Sequence, residues 1–289
     1  MLALSLGLGA ALAWGIHDLL VRQVSVRVGP YRSLLYVLFF GAVAQGFILL
    51  LIGERVWETD GDLAWSAVAG VTFLLACVGL YRALEIGPVR LVVPVIGAYP
   101  VLSFALAAAI GTPFGVLQWA CVAVLVFGIA LVARGEDGQS ETGEGIFKPV
   151  AFSVLAMVGF ASTFTIGQQM GGSGHAFGAS LMTRLVAFAI LAIVAFMLVR
   201  NRENPARLLQ GMPLIPLAFM GILDAVAIWI VFYAGGFENA AYATASASLF
   251  GLVTILLAWG ILKERLNPMQ WMGVLVAFGG IAVLALTAG

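Results

Sequence analysis

Apolar stretches of membrane-spanning length, parted by short polar joints, follow one another along almost the entire chain. They lie near residues 2–22, 31–53, 63–86, 90–111, 116–134, 147–170, 177–199, 212–236, 241–262 and 267–287. A helix needs about 20 mostly apolar residues to cross a bilayer, and each stretch is close to that length. The joints are shortest at Gly87-Pro88, Gly111-Thr112-Pro113 and Glu238-Asn239. The pattern predicts an all-α integral membrane protein with ten transmembrane helices. No Lys or Arg precedes the first stretch, whereas Arg22 and Arg27 follow it. That order suits a retained helix with its N-terminus outside better than a signal peptide.

The polar joints orient the chain. Alternate joints share one side, and Arg22, Arg27, Arg32, Arg82, Arg90, Arg134, Lys148, Arg200, Arg202, Arg207, Lys263 and Arg265 sit at or beside one set. The other side holds Arg55, and Arg184 falls inside the seventh stretch. Lys and Arg collect on the cytoplasmic face, so both termini are expected to be external. The acids Glu136, Asp137, Glu141 and Glu144 do not alter this, because the rule counts cations rather than net charge.

Composition agrees. Hydrophobic residues make up 62% of the 289 and charged residues 10%, against about 25% charged in soluble domains. Lipid is the solvent that removes the problem of so much apolar surface. The net charge is zero, with no basic stripe, so nucleic acid is not an expected partner. Cys77 and Cys121 both lie in apolar runs, which argues against a disulfide or a metal site.

The chain also repeats itself weakly. An offset of 152 carries Tyr81 onto Tyr233, Gln118-Trp119 onto Gln270-Trp271, and Gly128-Ile129-Ala130 onto Gly280-Ile281-Ala282, and an offset of 144 carries Gly15 onto Gly159. The expected division is a first five-helix repeat at 1–134, a Gly- and Glu-rich cytoplasmic linker at 135–146, and a second five-helix repeat at 147–289. An odd number of crossings per half forces the second half to enter from the opposite side. The repeats are therefore expected to be inverted, a plan common in secondary transporters whose substrate site lies between the halves.

With these features the chain resembles the EamA-type branch of the drug/metabolite transporter superfamily. The resemblance is carried by Tyr81-Arg82-Ala83-Leu84, Pro94 and Pro100 in the first half, and by Lys263-Glu264-Arg265-Leu266, Gln270 and Gly279-Gly280 in the second. One departure is Gly111-Thr112, which aligns with Lys263-Glu264 and so lacks the acid. Within the superfamily the chain is most similar to bacterial aromatic amino acid exporters. The resemblance implies a secondary transporter in the bacterial inner membrane that exports aromatic or hydrophobic amino acids, or related small metabolites, by alternating access. A carrier for another metabolite or a drug, a channel, and an intramembrane enzyme are the alternatives. No Walker A, zinc-protease or hydrolase-elbow motif is present, so no enzyme activity, cofactor or metal is expected. The implied partners are the lipid bilayer and a small-molecule substrate, and internal duplication makes a monomer sufficient.

Candidate substrate contacts come from polar or aromatic groups at membrane depth, which are costly unless they face a cavity or a partner. Asp224 reads either as a proton site or counter-charge for a substrate ammonium, or as the partner of Arg184. Asp18 is placed to pair with Arg22 one turn on. Trp14 and His17 share a helix face, and His17 suits proton coupling or a ligand hydrogen bond. Tyr81, Tyr99, Phe164 and Trp229 are deep aromatics able to stack on a substrate or hold a cation. Ser246 aligns with Pro94 where the halves diverge. Pro94, Gly97 and Pro100 are expected to kink the fourth helix and serve in gating. Trp57, Trp65, Trp119 and Trp271 read as interfacial anchors.

Overall fold

The computed structural model describes residues 1–52, 60–87, 92, 95–133, 143–200, 211–262 and 267–286. All regular structure among these is helical. The helices are α1 (Leu2–Val28), α2 (Pro30–Ile52), α3 (Asp60–Ile86), α4 (Tyr99–Ala109), α5 (Val116–Ala133), α6 (Gly143–Gly172), α7 (Ala176–Arg200), α8 (Leu214–Tyr233), α9 (Ala241–Ala247), α10 (Phe250–Leu262) and α11 (Pro268–Leu286). A single 3₁₀ turn, Ala234–Gly236, follows α8. Among the described residues, six helices are long and apolar enough to cross a membrane. Four shorter apolar segments, Val95–Ala109, Val116–Leu131, Ala241–Leu257 and Pro268–Leu284, complete the set. Helix α6 already includes Gly143, inside the stretch expected to be linker. Pro94, Trp57, Lys263-Glu264-Arg265-Leu266 and residues 134–142 lie outside the described residues.

Large apolar side chains cover the outside. Leu50, Val116 and Ile215 are each more than four-fifths exposed, an arrangement that water penalises and lipid does not. Polar groups instead collect inside, among them Gln45, Arg184, Asp224 and the His17-Asp18 pair.

Contacts between helices fix their relative directions. On α5 and α11, a Cβ at Gly128 would lie 2.5 Å from the backbone nitrogen of Ala277, and one at Gly280 would lie 3.1 Å from that of Leu125. Residue numbers fall on one helix as they rise on the other, so the two run antiparallel. The same offset of 152 that links Gly128 to Gly280 links Leu125 to Ala277. Each contact is thus the mirror of the other. Helices α1 and α9–α10 run in parallel, with Ser246 donating to the Leu4 carbonyl (3.0 Å) and Thr254 to the Gly15 carbonyl (3.2 Å). Helices α2 and α8 are also parallel: Gln45 donates to the Ala225 carbonyl at 3.4 Å, and Gly41 meets Gly221 one turn earlier.

The fourth and ninth apolar segments are both interrupted near mid-length. In the fourth, a turn at Ala98 precedes α4, and Pro100 occupies the first turn of that helix. Pro100 therefore starts a helix, where its missing N–H costs nothing, instead of bending one in its interior. Gly97 is buried beside Ile129, at a Cβ distance of 3.2 Å. The ninth segment breaks at Ser248–Leu249 with no proline nearby. There Ser246 donates to the Tyr242 carbonyl (2.9 Å), Ser248 to the Ala245 carbonyl (2.7 Å), and the Leu249 N–H to the Ser246 carbonyl (3.2 Å). Short hydroxyl side chains compete for backbone carbonyls and loosen the helix in this way. The offset of 152 places Gly97 on Leu249, so the two breaks are equivalent positions of the two halves.

Candidate functional site

Both breaks border the same cavity. Tyr99 at the start of α4 and Phe250 at the start of α10 face each other across it, their rings 6.5 Å apart and 12° from parallel. Helix α6 adds Phe160 and Phe164, one turn apart on one face. Phe164 lies 5.4 Å from Tyr99 and 5.2 Å from Trp14 of α1. Leu34 and Val37 of α2, with Cys77 and Leu80 of α3, supply the remaining apolar wall. The cavity measures about 20 Å³, room for about one water molecule.

A charged layer closes one side. Asp224 of α8 accepts from the Trp14 indole N–H at 2.9 Å through Oδ1 and from Arg184 Nη1 at 2.8 Å through Oδ2. Arg184 Nε donates to Gln45 Oε1 at 3.1 Å, and Gln45 Nε2 donates to Ser180 Oγ at 2.9 Å. One carboxylate thus ties α8 to α1 and α7, and the guanidinium extends the tie to α2. Arg184 is fully buried, with its charge 5.7 Å from the Phe73 ring. Glycine at position 41 makes the space: a Cβ there would lie 2.7 Å from the Gly221 carbonyl and 2.8 Å from Arg184 Nη1.

On α1, His17 Nδ1 and Asp18 Oδ1 are 2.9 Å apart, and His17 Nε2 is 3.3 Å from the Tyr81 hydroxyl. Among the described residues, two buried donors around this site have no hydrogen-bond partner, the Tyr99 hydroxyl and Arg184 Nη2. In a low-dielectric interior an unpartnered polar group costs about 1–3 kcal/mol; of the two, Tyr99 lines the cavity.

The chain matches the EamA-like transporter family over residues 1–134 and 147–286. It belongs to that family. An EamA-like protein is a multi-pass membrane transporter of small molecules, and this chain is one. No curated protein matches it. Among solved structures, one described as "Crystal structure of protein" is 16% identical with a TM-score of 0.77, covering 99% of this chain and 97% of that one. The likeness shows that the EamA-like chain shares that fold over its whole length.

The structure brings Trp14, His17, Tyr81, Tyr99, Phe164 and Asp224 together around the cavity. It places Trp229 and Ser246 elsewhere. Trp229 follows Asp224 by five residues, about 140° around the helix, and packs with Phe177 (6.0 Å) and Tyr233 (5.8 Å). Ser246 is spent on the Leu4 and Tyr242 carbonyls at the joint with α1. Asp18 bonds His17, and the Arg22 side chain expected to pair with it lies outside the described residues. Trp119 packs inward against Phe104 at 5.9 Å, unlike an interfacial anchor, whereas Trp65 is well exposed. Reading from sequence missed Phe160, Phe250 and Gln45. A glutamine alone in the apolar run of α2 was the available signal for Gln45, and the Phe160–Phe164 spacing for Phe160.

Proposed function

We propose that this EamA-family chain is a secondary carrier that exports aromatic or hydrophobic amino acids, or related small metabolites, across a bacterial cytoplasmic membrane by alternating access. The observation that carries the reading is the small aromatic cavity, floored by a buried carboxylate–guanidinium layer, between helices of both halves. Aromatic walls suit a planar apolar side chain, and the unpartnered Tyr99 hydroxyl suits its polar end. Room for one water admits no amino acid, so loading requires the lining helices to part. The breaks at Ala98 and Ser248–Leu249 are the natural points for that movement, with Gly97 and Pro100 beside the first. The mirrored contacts of α5 and α11 support two inverted five-helix repeats, and ten spans with external termini rest on the apolar stretches and the placement of Lys and Arg.

Liposome counterflow against a panel of amino acids tests this. Exchange of phenylalanine or tryptophan that saturates supports it, and exchange confined to unrelated compounds contradicts it. Tyr99→Ala is expected to weaken phenylalanine transport about tenfold or more, from lost burial and ring contact, and alanine transport far less. Equal losses for both would show that Tyr99 supports the fold alone.

A further inference from the structure

A second cavity opens one turn beyond the central one along α6. Its wall on that helix carries Gln168 and Gln169, and Gln168 follows Phe164 by one turn, about 6 Å along the axis. It measures about 230 Å³, against about 20 Å³ for the central cavity. It lies at the end of the bundle where α1 begins, because α9 borders it and Ser246 of α9 bonds the Leu4 carbonyl. The placement of Lys and Arg makes that end external. Thr112, Gln169 and Asn239 stand exposed at its rim.

A pair of stacked rings parts the two cavities. On α4, Phe104 falls between Tyr99, which lines the central cavity, and Ala107, which lines the outer one. Its ring lies 6.2 Å from that of Tyr242 and 4° from parallel, and Tyr242 directly follows Ala241 of the outer wall. Both rings are buried. Phe104 also stacks at 4.4 Å on Phe114, which belongs to the outer wall.

The outer lining is amphipathic and, among the described residues, uncharged. Phe114 and Phe237 supply rings, and Gln168 and Gln169 supply amides. An amide both donates and accepts, so it meets a carboxylate with its N–H and an ammonium with its oxygen. Gln168 is already oriented: its Nε2 donates to the Ala240 carbonyl at 2.8 Å and to Thr244 Oγ1 at 3.0 Å, which leaves its oxygen to accept. Hydrogen bonds between a neutral and a charged group, without a full ion pair, hold such a ligand loosely, as release requires.

We propose that the outer cavity is a second substrate site. It takes a zwitterionic aromatic amino acid once the Phe104–Tyr242 stack has parted, and holds it loosely before release. This deepens the carrier reading above and rests on it.

The test labels one introduced cysteine, Thr112→Cys, with a membrane-impermeant maleimide on the whole protein in liposomes; Cys77 and Cys121 are buried. L-Phenylalanine is expected to slow labelling by one plus the ratio of its concentration to the Kd, about tenfold at about ten times the Kd. Leu2→Cys, exposed at the same end, is expected to label at an unchanged rate. The slowing at Thr112→Cys is expected to persist when Tyr99→Ala has weakened the central site. Gln169→Leu, at an exposed position outside the central cavity, is expected to raise the phenylalanine concentration needed by about 2- to 12-fold, the worth of one hydrogen bond. Slowing that vanishes in folded Tyr99→Ala reports central occupancy alone and overturns the proposal. So does slowing that Gln169→Leu leaves unchanged, which decides the matter if Tyr99→Ala fails to fold. Unslowed labelling with phenylalanine counterflow intact removes the second site and leaves the carrier standing. If counterflow fails as well, the carrier reading falls and the proposal with it.

Discussion

Asp224→Asn is expected to destabilise the folded protein by about 3–5 kcal/mol, because it strands a fully buried guanidinium. The substitution also weakens the acceptor of the Trp14 indole and so loosens the junction of α1, α7 and α8. Loss of monodisperse protein on heating in detergent, relative to the wild type, measures the effect. The cost comes from the charge left behind, not from the bond itself. Removing both charges together, as in Arg184→Met with Asp224→Leu, should therefore recover most of the stability. A double variant no more stable than the single one would show that Asp224 stabilises by another route. The double variant is still expected to transport poorly, since Trp14 loses the acceptor that orients it beside Phe164.

Gly128→Leu is expected to be the most damaging substitution on α5, costing about 3 kcal/mol, the upper end for overpacking. Its first side-chain carbon would meet the Ala277 backbone at 2.5 Å, and backbone cannot yield as a flexible side chain can. Gly280→Leu faces Leu125 and Cys121 backbone at 3.1 Å and should cost less. Thermal stability of the two variants, ranked in that order, checks the packing. The reverse order would contradict the α5–α11 crossing.

Helix limits were legible because bilayer thickness and the hydrophobic effect act on every residue of a span. The apolar runs at 31–53 and 116–134 begin within a residue of α2 and α5. The break after α9 was not legible. Prolines announce a break by removing an N–H, as Pro100 does, but the ninth segment breaks through hydroxyls that also occur in unbroken helices. The six deep polar and aromatic residues that share the cavity were found because desolvation makes such groups conspicuous in an apolar chain. Their partners were harder to assign. Whether Asp224 meets Arg184, or Asp18 meets His17, depends on angles between helices that apolar periodicity does not encode when nearly every face is apolar. Trp229 was misplaced for the same reason, and Phe250 was invisible until the break beside it was seen.

The central claim is that the protein carries its substrate by closing around it. Efflux of labelled phenylalanine from proteoliposomes, with and without unlabelled phenylalanine outside, tests that claim most directly. The account predicts efflux that saturates with internal concentration and accelerates when substrate is present on the far side. Efflux that rises linearly and ignores the far side would contradict it.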